Sequence, residues 1–206
     1  MLLSGDGIEP RRFESGPDLT PQEMVPQIQA LTDDWSYDAV AIGVPAPIQG
    51  GRVAAEPVNL GEGWAGFDFQ AAFGKPTRVV NDAAMQALGS YEGGKMLFLG
   101  LGTGLGSALV TDGNVVPMEL GHLPFRKATF EDYVGERGRE RLGKKKWQHA
   151  VSEAIAKLTA ALEPDYVVLG GGNAKKLQEL PPNVRLGRND NAFAGAFRLW
   201  GLERES

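Results

Sequence analysis

Thr77-Arg78-Val79-Val80-Asn81-Asp82-Ala83-Ala84-Met85-Gln86-Ala87-Leu88-Gly89 changes character at its midpoint. Thr77 to Val80 reads as a short buried strand, and Asp82 to Tyr91 reads as a helix that starts directly after it. The same alternation runs outward in both directions. Upstream, Ala39-Val40-Ala41-Ile42-Gly43-Val44 is an apolar strand stopped by Pro45 and Pro47. Downstream, Lys95 to Leu101, Ser107 to Thr111 and Val115–Val116 read as consecutive strands, the first two joined by a glycine turn. A long helix is expected from about Gln148 to Leu162, with Val151, Ile155, Leu158 and Leu162 on one buried stripe. Tyr166 to Leu169 is a strand, Ala174 to Glu179 a short helix, and Asn191 to Trp200 a last amphipathic helix. Strands alternating with helices predict an α/β fold with ligands at strand carboxyl ends.

The amino-terminal part is less regular. Leu2–Leu3 and Ile8 to Glu14 read as a hairpin turning on Asp6-Gly7. Thr20-Pro21-Gln22-Glu23 carries a capping box with proline at the first helical position, so a helix should run to about Asp33. Residues 48–66 hold five glycines and predict loops with a short hairpin, followed by a short helix from Phe67 to Phe73.

The chain has 206 residues, no cysteine and a formal charge of −5. The absence of cysteine excludes disulfide scaffolds, thiolate zinc sites and cysteine nucleophiles, and it fits a reducing cytoplasm. No signal-type apolar run follows Met1, and the longest uncharged stretch, Met96 to Thr111, is 16 residues with four glycines. That is short of the ~18 residues of a membrane span, so the expectation is a cytoplasmic protein without a membrane partner. Mild acidity argues against nucleic acid as a partner. One window departs from it: Arg137 to Lys146 holds six basic residues and one acid, for +5. A solvated segment and a polyanion-binding patch, with Lys144, Lys145 and Lys146 as point charges, both fit this window.

Four groups of residues could carry chemistry. Asp82, at the end of a strand and the mouth of a helix, could take a proton from a hydroxyl. It could equally serve as a helix cap. Gly102-Thr103-Gly104-Leu105-Gly106 can converge backbone N–H groups on an anion. It is followed by a strand rather than a helix, so it is neither a dinucleotide fingerprint nor a Walker loop; a plain hairpin turn is the alternative. Glu119-Leu120-Gly121-His122 and Glu131-Asp132 supply carboxylates and an imidazole suited to hydroxyls, or to a solvated surface. Gly170-Gly171-Gly172 could let a flat base approach the backbone, or be an ordinary tight turn.

Taken in order, these groups resemble the ROK family of sugar kinases, and more closely its polyphosphate glucokinase branch. The likeness is carried by Val79-Val80-Asn81-Asp82-Ala83-Ala84-Met85-Gln86-Ala87-Leu88-Gly89, Met118-Glu119-Leu120-Gly121-His122-Leu123-Pro124, Glu131-Asp132-Tyr133-Val134-Gly135 and Lys145-Lys146-Trp147. It extends from about residue 39 to residue 200.

The resemblance implies a ribonuclease-H-like fold of the actin/hexokinase type, with two α/β domains flanking a cleft. Residues 1–90 with 190–206 would form the smaller domain and residues 91–189 the larger. The implied activity is phosphoryl transfer from polyphosphate or ATP to the 6-hydroxyl of glucose, with a sugar-binding pseudokinase or an inactive truncated member as the alternative. Asp82 would be the base, Asn81 would bind neighbouring hydroxyls, and Glu119, His122 and Glu131 would hold the anomeric end of the hexose. Gly102, Thr103 and Gly104 would contact the donor's terminal phosphates, and Gly170, Gly171 and Gly172 would line the nucleoside side. Lys144, Lys145 and Lys146 become candidates for a polyphosphate chain. Mg²⁺ is expected with the donor. The zinc of some family members is not, because their cysteine cluster has no counterpart here. A homodimer is compatible with this reading. The family opens with a strand and an Asp-Gly-Gly-Thr phosphate loop; the expectation is that Met1 falls at the family's second strand and that the first strand is missing, through a late start assignment or a true truncation.

Overall fold

The computed structural model describes residues 2–3, 9–188 and 190–201. Two compact units emerge, one of Met1–Asp82 with Ala196–Ser206 and one of Ala83–Gly195.

The first unit begins with β1 (Leu2–Leu3) paired antiparallel to β2 (Arg11–Arg12), Leu2 opposite Arg12. The Asp6-Gly7 turn expected between them lies outside the described residues. Helix α1 (Pro21–Leu31) starts as its sequence predicts. The Glu23 N–H donates to Thr20 Oγ1 at 3.3 Å and the Thr20 N–H to Glu23 Oε2 at 3.1 Å, a reciprocal capping box. Strand β3 (Val40–Val44) is followed by a small hairpin of β4 (Ile48–Gln49) and β5 (Arg52–Val53), then by α2 (Phe69–Phe73). Strand β6 (Thr77–Asn81) pairs parallel to β3, Val40 opposite Thr77 and Val44 opposite Asn81. Met24, Val44, Val53, Trp64, Phe69 and Val79 are buried together. Trp64 keeps its one donor satisfied by giving it to Leu19 O at 3.1 Å.

Helix α3 (Asp82–Ser90) follows β6 without a loop, and from Ala83 onward it belongs to the second unit. Strands β7 (Lys95–Leu101), β8 (Leu105–Thr111) and β9 (Asn114–Met118) form an antiparallel meander. After a small hairpin of β10 (Pro124–Phe125) and β11 (Ala128–Thr129) come α4 (Phe130–Val134) and α5 (Glu136–Leu162). Strand β12 (Tyr166–Gly170) joins the sheet parallel to β7, β13 (Val184–Leu186) pairs parallel to β12, and α6 (Asn191–Leu199) follows. The order across this mixed sheet is β13-β12-β7-β8-β9.

Alternation along β7 shows why its apolar run is continuous. Leu97, Leu99 and Leu101 face a core built with Trp147, Val151, Ile155 and Leu158 of α5. Met96 and Phe98 face the opposite core, with Ala83, Ala84 and Ala87 of α3. A strand covered on both faces needs apolar residues at every position.

Several elements differ from expectation, among them α4 and the β10–β11 hairpin, which were not expected, and three more. Helix α5 starts at Glu136 rather than near Gln148, with a break at Gly143, whose φ of 71° is left-handed. The extra turns are rich in charge and carry no apolar stripe, so hydrophobic periodicity is blind to them. They are held instead by side-chain contacts: Arg139 pairs with Glu136, and Arg141 lies over the Tyr133 ring and donates to Asp132 O at 2.7 Å. The helix expected over Ala174 to Glu179 is a single 3-10 turn, Ala174–Lys176. The three-residue β13 was not expected at all. Among the described residues no helix is long and apolar enough to cross a membrane.

Candidate active site

Asn81 and Asp82 sit in the first unit, Asn81 as the last residue of β6 and Asp82 as the first of α3. Parallel pairing with Val44 fixes the Asn81 backbone, and its Nδ2 donates to Ala46 O at 3.3 Å. The amide is thus oriented by the segment that follows β3.

The remaining site candidates lie in the second unit, most of them around the β7–β8 hairpin. Leu101 opposite Leu105 closes that hairpin, leaving Gly102, Thr103 and Gly104 as its turn. The Gly102 N–H donates across the turn to Gly104 O at 3.3 Å. Two glycines let neighbouring segments come close. A Cβ on Gly104 would stand 2.6 Å from Glu131 Oε2, and one on Gly135 would stand 2.5 Å from Thr103 O. The carboxylate of Glu131 therefore rests on the glycine turn itself.

Glu119, Gly121 and His122 belong to one 3-10 turn, Leu120–His122, with Glu119 exposed at its start. Ser107 anchors that turn to β8. Its buried hydroxyl donates to Met118 O at 2.8 Å and accepts from the Leu120 N–H at 3.1 Å. Gly121 packs so near Leu105 that a Cβ there would stand 2.8 Å from the Leu105 carbonyl oxygen. His122 Nε2 then lies 3.8 Å from Glu131 Oε1, with both side chains partly open to solvent. Glu131 is set on α4 by a second capping box, in which Thr129 and Asp132 exchange hydrogen bonds. The Thr129 hydroxyl and N–H hold the Asp132 carboxyl below the usual carboxylate range.

Gly170 ends β12 opposite Gly100, and the chain turns through Gly171 and Gly172 into Asn173. Lys144, Lys145 and Lys146 are exposed on α5 just past its break at Gly143. Of the other basic residues in that window, Arg139 and Arg141 are occupied with Glu136 and with Tyr133 and Asp132.

The second unit thus brings together a glycine turn, a carboxylate and an imidazole, in an order along the chain that a family can share. The sequence model of the ROK family matches residues 4–140. The chain belongs to the ROK family. Polyphosphate glucokinase of Mycobacterium tuberculosis (strain CDC 1551 / Oshkosh) is 26% identical over 184 residues, covering 80% of this chain and 69% of that protein. The crystal structure of the inorganic polyphosphate/ATP-glucomannokinase of Arthrobacter sp. strain KM matches with a TM-score of 0.75 at 25% identity, over 91% of this chain and 85% of that one. A ROK family glucokinase of Streptomyces griseus, solved with glucose and AMPPNP, matches with a TM-score of 0.70 over 93% and 91% of the two chains. At 17% identity that last likeness concerns the fold alone.

Two polar residues of this ROK chain went unread in the sequence. Glu136 at the start of α5 and Asn173 after the Gly170–Gly172 turn both bond to the glycine turn. The Glu136 carboxyl is depressed from its ordinary 4.5 to about 2, first by the Arg139 guanidinium, then by Asn173, with Lys176 adding charge attraction. Asn173 could have been noticed as the first residue with a functional side chain after three glycines. Glu136 carries no signal beyond an acid near a helix start.

Proposed function

We propose that the chain is a sugar kinase that moves a phosphoryl group from polyphosphate or ATP to the 6-hydroxyl of glucose. The observation that supports this most directly is the contact of Gly104 with Glu131. It sets a phosphate-binding backbone and a hydroxyl-binding carboxylate in one place, so that donor and sugar can be held together. In this reading Gly102, Thr103 and Gly104 receive the donor's terminal phosphates, and Gly170, Gly171 and Gly172 lie on the nucleoside side when ATP is the donor. Glu119, His122 and Glu131 hold the sugar's anomeric end, and Asn81 binds its other hydroxyls. Asp82 takes the proton from the attacking hydroxyl.

The similarity to a polyphosphate glucokinase and to a polyphosphate/ATP-glucomannokinase supports the choice of donors and of glucose. The exposed Lys144, Lys145 and Lys146 are the side chains we assign to a long polyphosphate chain. The mixed five-stranded sheet and its helix-covered faces support the ribonuclease-H-like reading of the fold.

Mg²⁺ would come with the donor and neutralise charge on the transferring phosphoryl. Such an ion is held mainly by phosphate oxygens and water, with one or two carboxylates at most. A site of that kind suits a chain in which, among the described residues, no group of three or more His, Asp or Glu side chains converges.

The test is a phosphorylation assay of the whole chain with glucose against polyphosphate and ATP, repeated for Asp82→Asn. Activity should fall about 10²- to 10⁴-fold in kcat while glucose affinity stays within a few-fold. Full activity in the variant would return Asp82 to a structural role. No phosphorylation by the wild type with either donor would overturn the reading.

A further inference from the structure

Asn173 is 3% exposed, and each of its polar groups is engaged. Its Nδ2 donates to Gly102 O at 3.1 Å, its Oδ1 accepts from Lys176 Nζ at 2.6 Å, and its main-chain N–H donates to Leu101 O at 3.0 Å. Glu136 reaches the same turn through its main-chain N–H, which donates to Gly102 O at 3.0 Å and to Thr103 O at 3.2 Å. Its carboxylate pairs with Arg139 and stands 3.8 Å from Lys176 Nζ. Asn173 and Glu136 therefore grip two successive carbonyls of the glycine turn.

That grip has a consequence for the donors on the other side of the peptide planes. The described peptide bonds are all trans, and a planar trans peptide points its C=O and N–H in opposite directions. The Gly102 carbonyl shares its plane with the Thr103 N–H, and the Thr103 carbonyl shares its plane with the Gly104 N–H. Holding both carbonyls turns both N–H groups away from Asn173 and Glu136. Among the described residues, neither N–H is taken up by a backbone carbonyl. Two neighbouring amides left facing one way form an anion-binding concavity.

We propose that Asn173 is a positioning residue for the phosphoryl donor: by holding the Gly102 carbonyl it aims the Thr103 and Gly104 N–H groups at the donor's phosphate. The proposal rests on reading Gly102–Gly104 as the donor's phosphate loop. Asn173 touches no substrate; Lys176 and Glu136 keep its amide in register with the turn.

The variant that isolates this role is Asn173→Asp, which keeps the size of the side chain and the acceptor for Lys176 but removes the donor to Gly102. Asn173→Ala is its companion. In steady-state assays of the whole chain, KM for the donor should rise about 10- to 100-fold, the scale of a small misplacement of a binding group. KM for glucose should stay within about twofold. A side chain that merely stabilised the unit would move both constants together. The second measurement uses inorganic tripolyphosphate as the probe. The Thr103 and Gly104 amide resonances of the wild type should shift on titration, and those of Asn173→Asp should not. A wild type that phosphorylates glucose while the variants keep their donor KM would sink the proposal and leave the kinase reading standing. A wild type that phosphorylates no sugar but shows the two amide shifts, lost in the variant, would do the reverse. Should neither variant fold, absent shifts at Thr103 and Gly104 in the wild type would overturn the proposal alone.

Discussion

Gly104 and Glu131 meet so closely that a single added methyl on Gly104 would stand 2.6 Å from the Glu131 carboxylate oxygen. The atom in the way is the far end of a flexible side chain. Gly104→Ala should therefore fold, with a melting temperature within about 2 °C of wild type, while the carboxylate is pushed off its position. Losing a charged hydrogen bond to a hydroxyl costs about 1.5–3 kcal/mol. KM for glucose should rise roughly 10- to 100-fold, with the donor KM less affected. Unchanged sugar KM would remove Glu131 from the sugar site.

Gly135 gives the opposite outcome. A Cβ there would meet the Thr103 carbonyl oxygen at 2.5 Å and the Glu131 carbonyl oxygen at 2.8 Å, both backbone atoms. Neither can swing aside, so the start of α5 and the glycine turn must separate. Gly135→Ala should lower the melting temperature and weaken both substrates, measured by thermal unfolding and by the two KM values. A variant with wild-type stability would show that the turn yields more easily than its packing indicates.

At the crossing of α3 and α6, where Asn191 Nδ2 donates to Ser90 Oγ at 2.7 Å, the two backbones pack directly on one another. A Cβ on Gly89 would run into the Asn191 carbonyl, and one on Gly195 into the Met85 carbonyl. Backbone on backbone leaves no side chain to rearrange, and overpacking of this kind typically costs about 1–3 kcal/mol. Gly195→Ala should lower the melting temperature by about 2–10 °C in a scan at neutral pH. No change would place slack in the crossing.

The alternation of strand and helix was legible because both faces of β7 and one stripe of α5 are apolar at the spacing each element demands. The caps at Thr20 and the strand-to-helix switch at Asn81-Asp82 are local chemistry, and they were readable for that reason. What escaped was whatever is held by polar side-chain contacts or by distant partners instead of an apolar stripe. The first turns of α5 depend on Arg139 with Glu136 and Arg141 with Tyr133, and β13 exists only as an edge for β12. The candidate site divides in the same way. Glycine spacing pointed to the Gly102–Gly104 turn, whereas the grip of Asn173 on it spans 71 residues and leaves no local signature.

Acidification should act on that grip. The Glu136 carboxyl, held near 2 against an ordinary 4.5, is bound less readily by protons in the folded chain than in the unfolded one. Its contribution to stability is present in full above about pH 4.5 and is lost as the pH falls toward 2. Glu136→Gln should be less stable than wild type at pH 6. The gap in melting temperature should narrow steadily below pH 4.5. A gap independent of pH between 6 and 3 would show that the charge on Glu136 does not brace the turn.

The basic window of α5 gives the last prediction, and the helix itself shapes it. Arg139 and Arg141 are engaged with protein groups, so the charge offered to solvent is concentrated on Arg137 and on Lys144, Lys145 and Lys146. Successive helix positions turn by about 100°, so the three lysines fan around the helix, Lys145 opposite buried Trp147 and Lys144 and Lys146 on its flanks, rather than pointing at one spot. A compact ligand such as a nucleotide triphosphate cannot engage all three, whereas a flexible polyphosphate chain can follow the helix surface. Replacing Lys144, Lys145 and Lys146 jointly by Gln should raise KM for long polyphosphate about tenfold or more while KM for ATP changes less than about twofold, if each lysine contributes a few tenths to 1 kcal/mol as exposed charges do. Screening adds an independent check: the wild-type KM for polyphosphate should climb between 0.01 and 0.15 M salt, where the Debye length shrinks from about 30 to about 8 Å, and the triple variant should have lost most of that slope. Equal effects on both donors, or a salt slope that survives the substitutions, would make the lysines an ordinary solvated face and move the polyphosphate path elsewhere on the second unit.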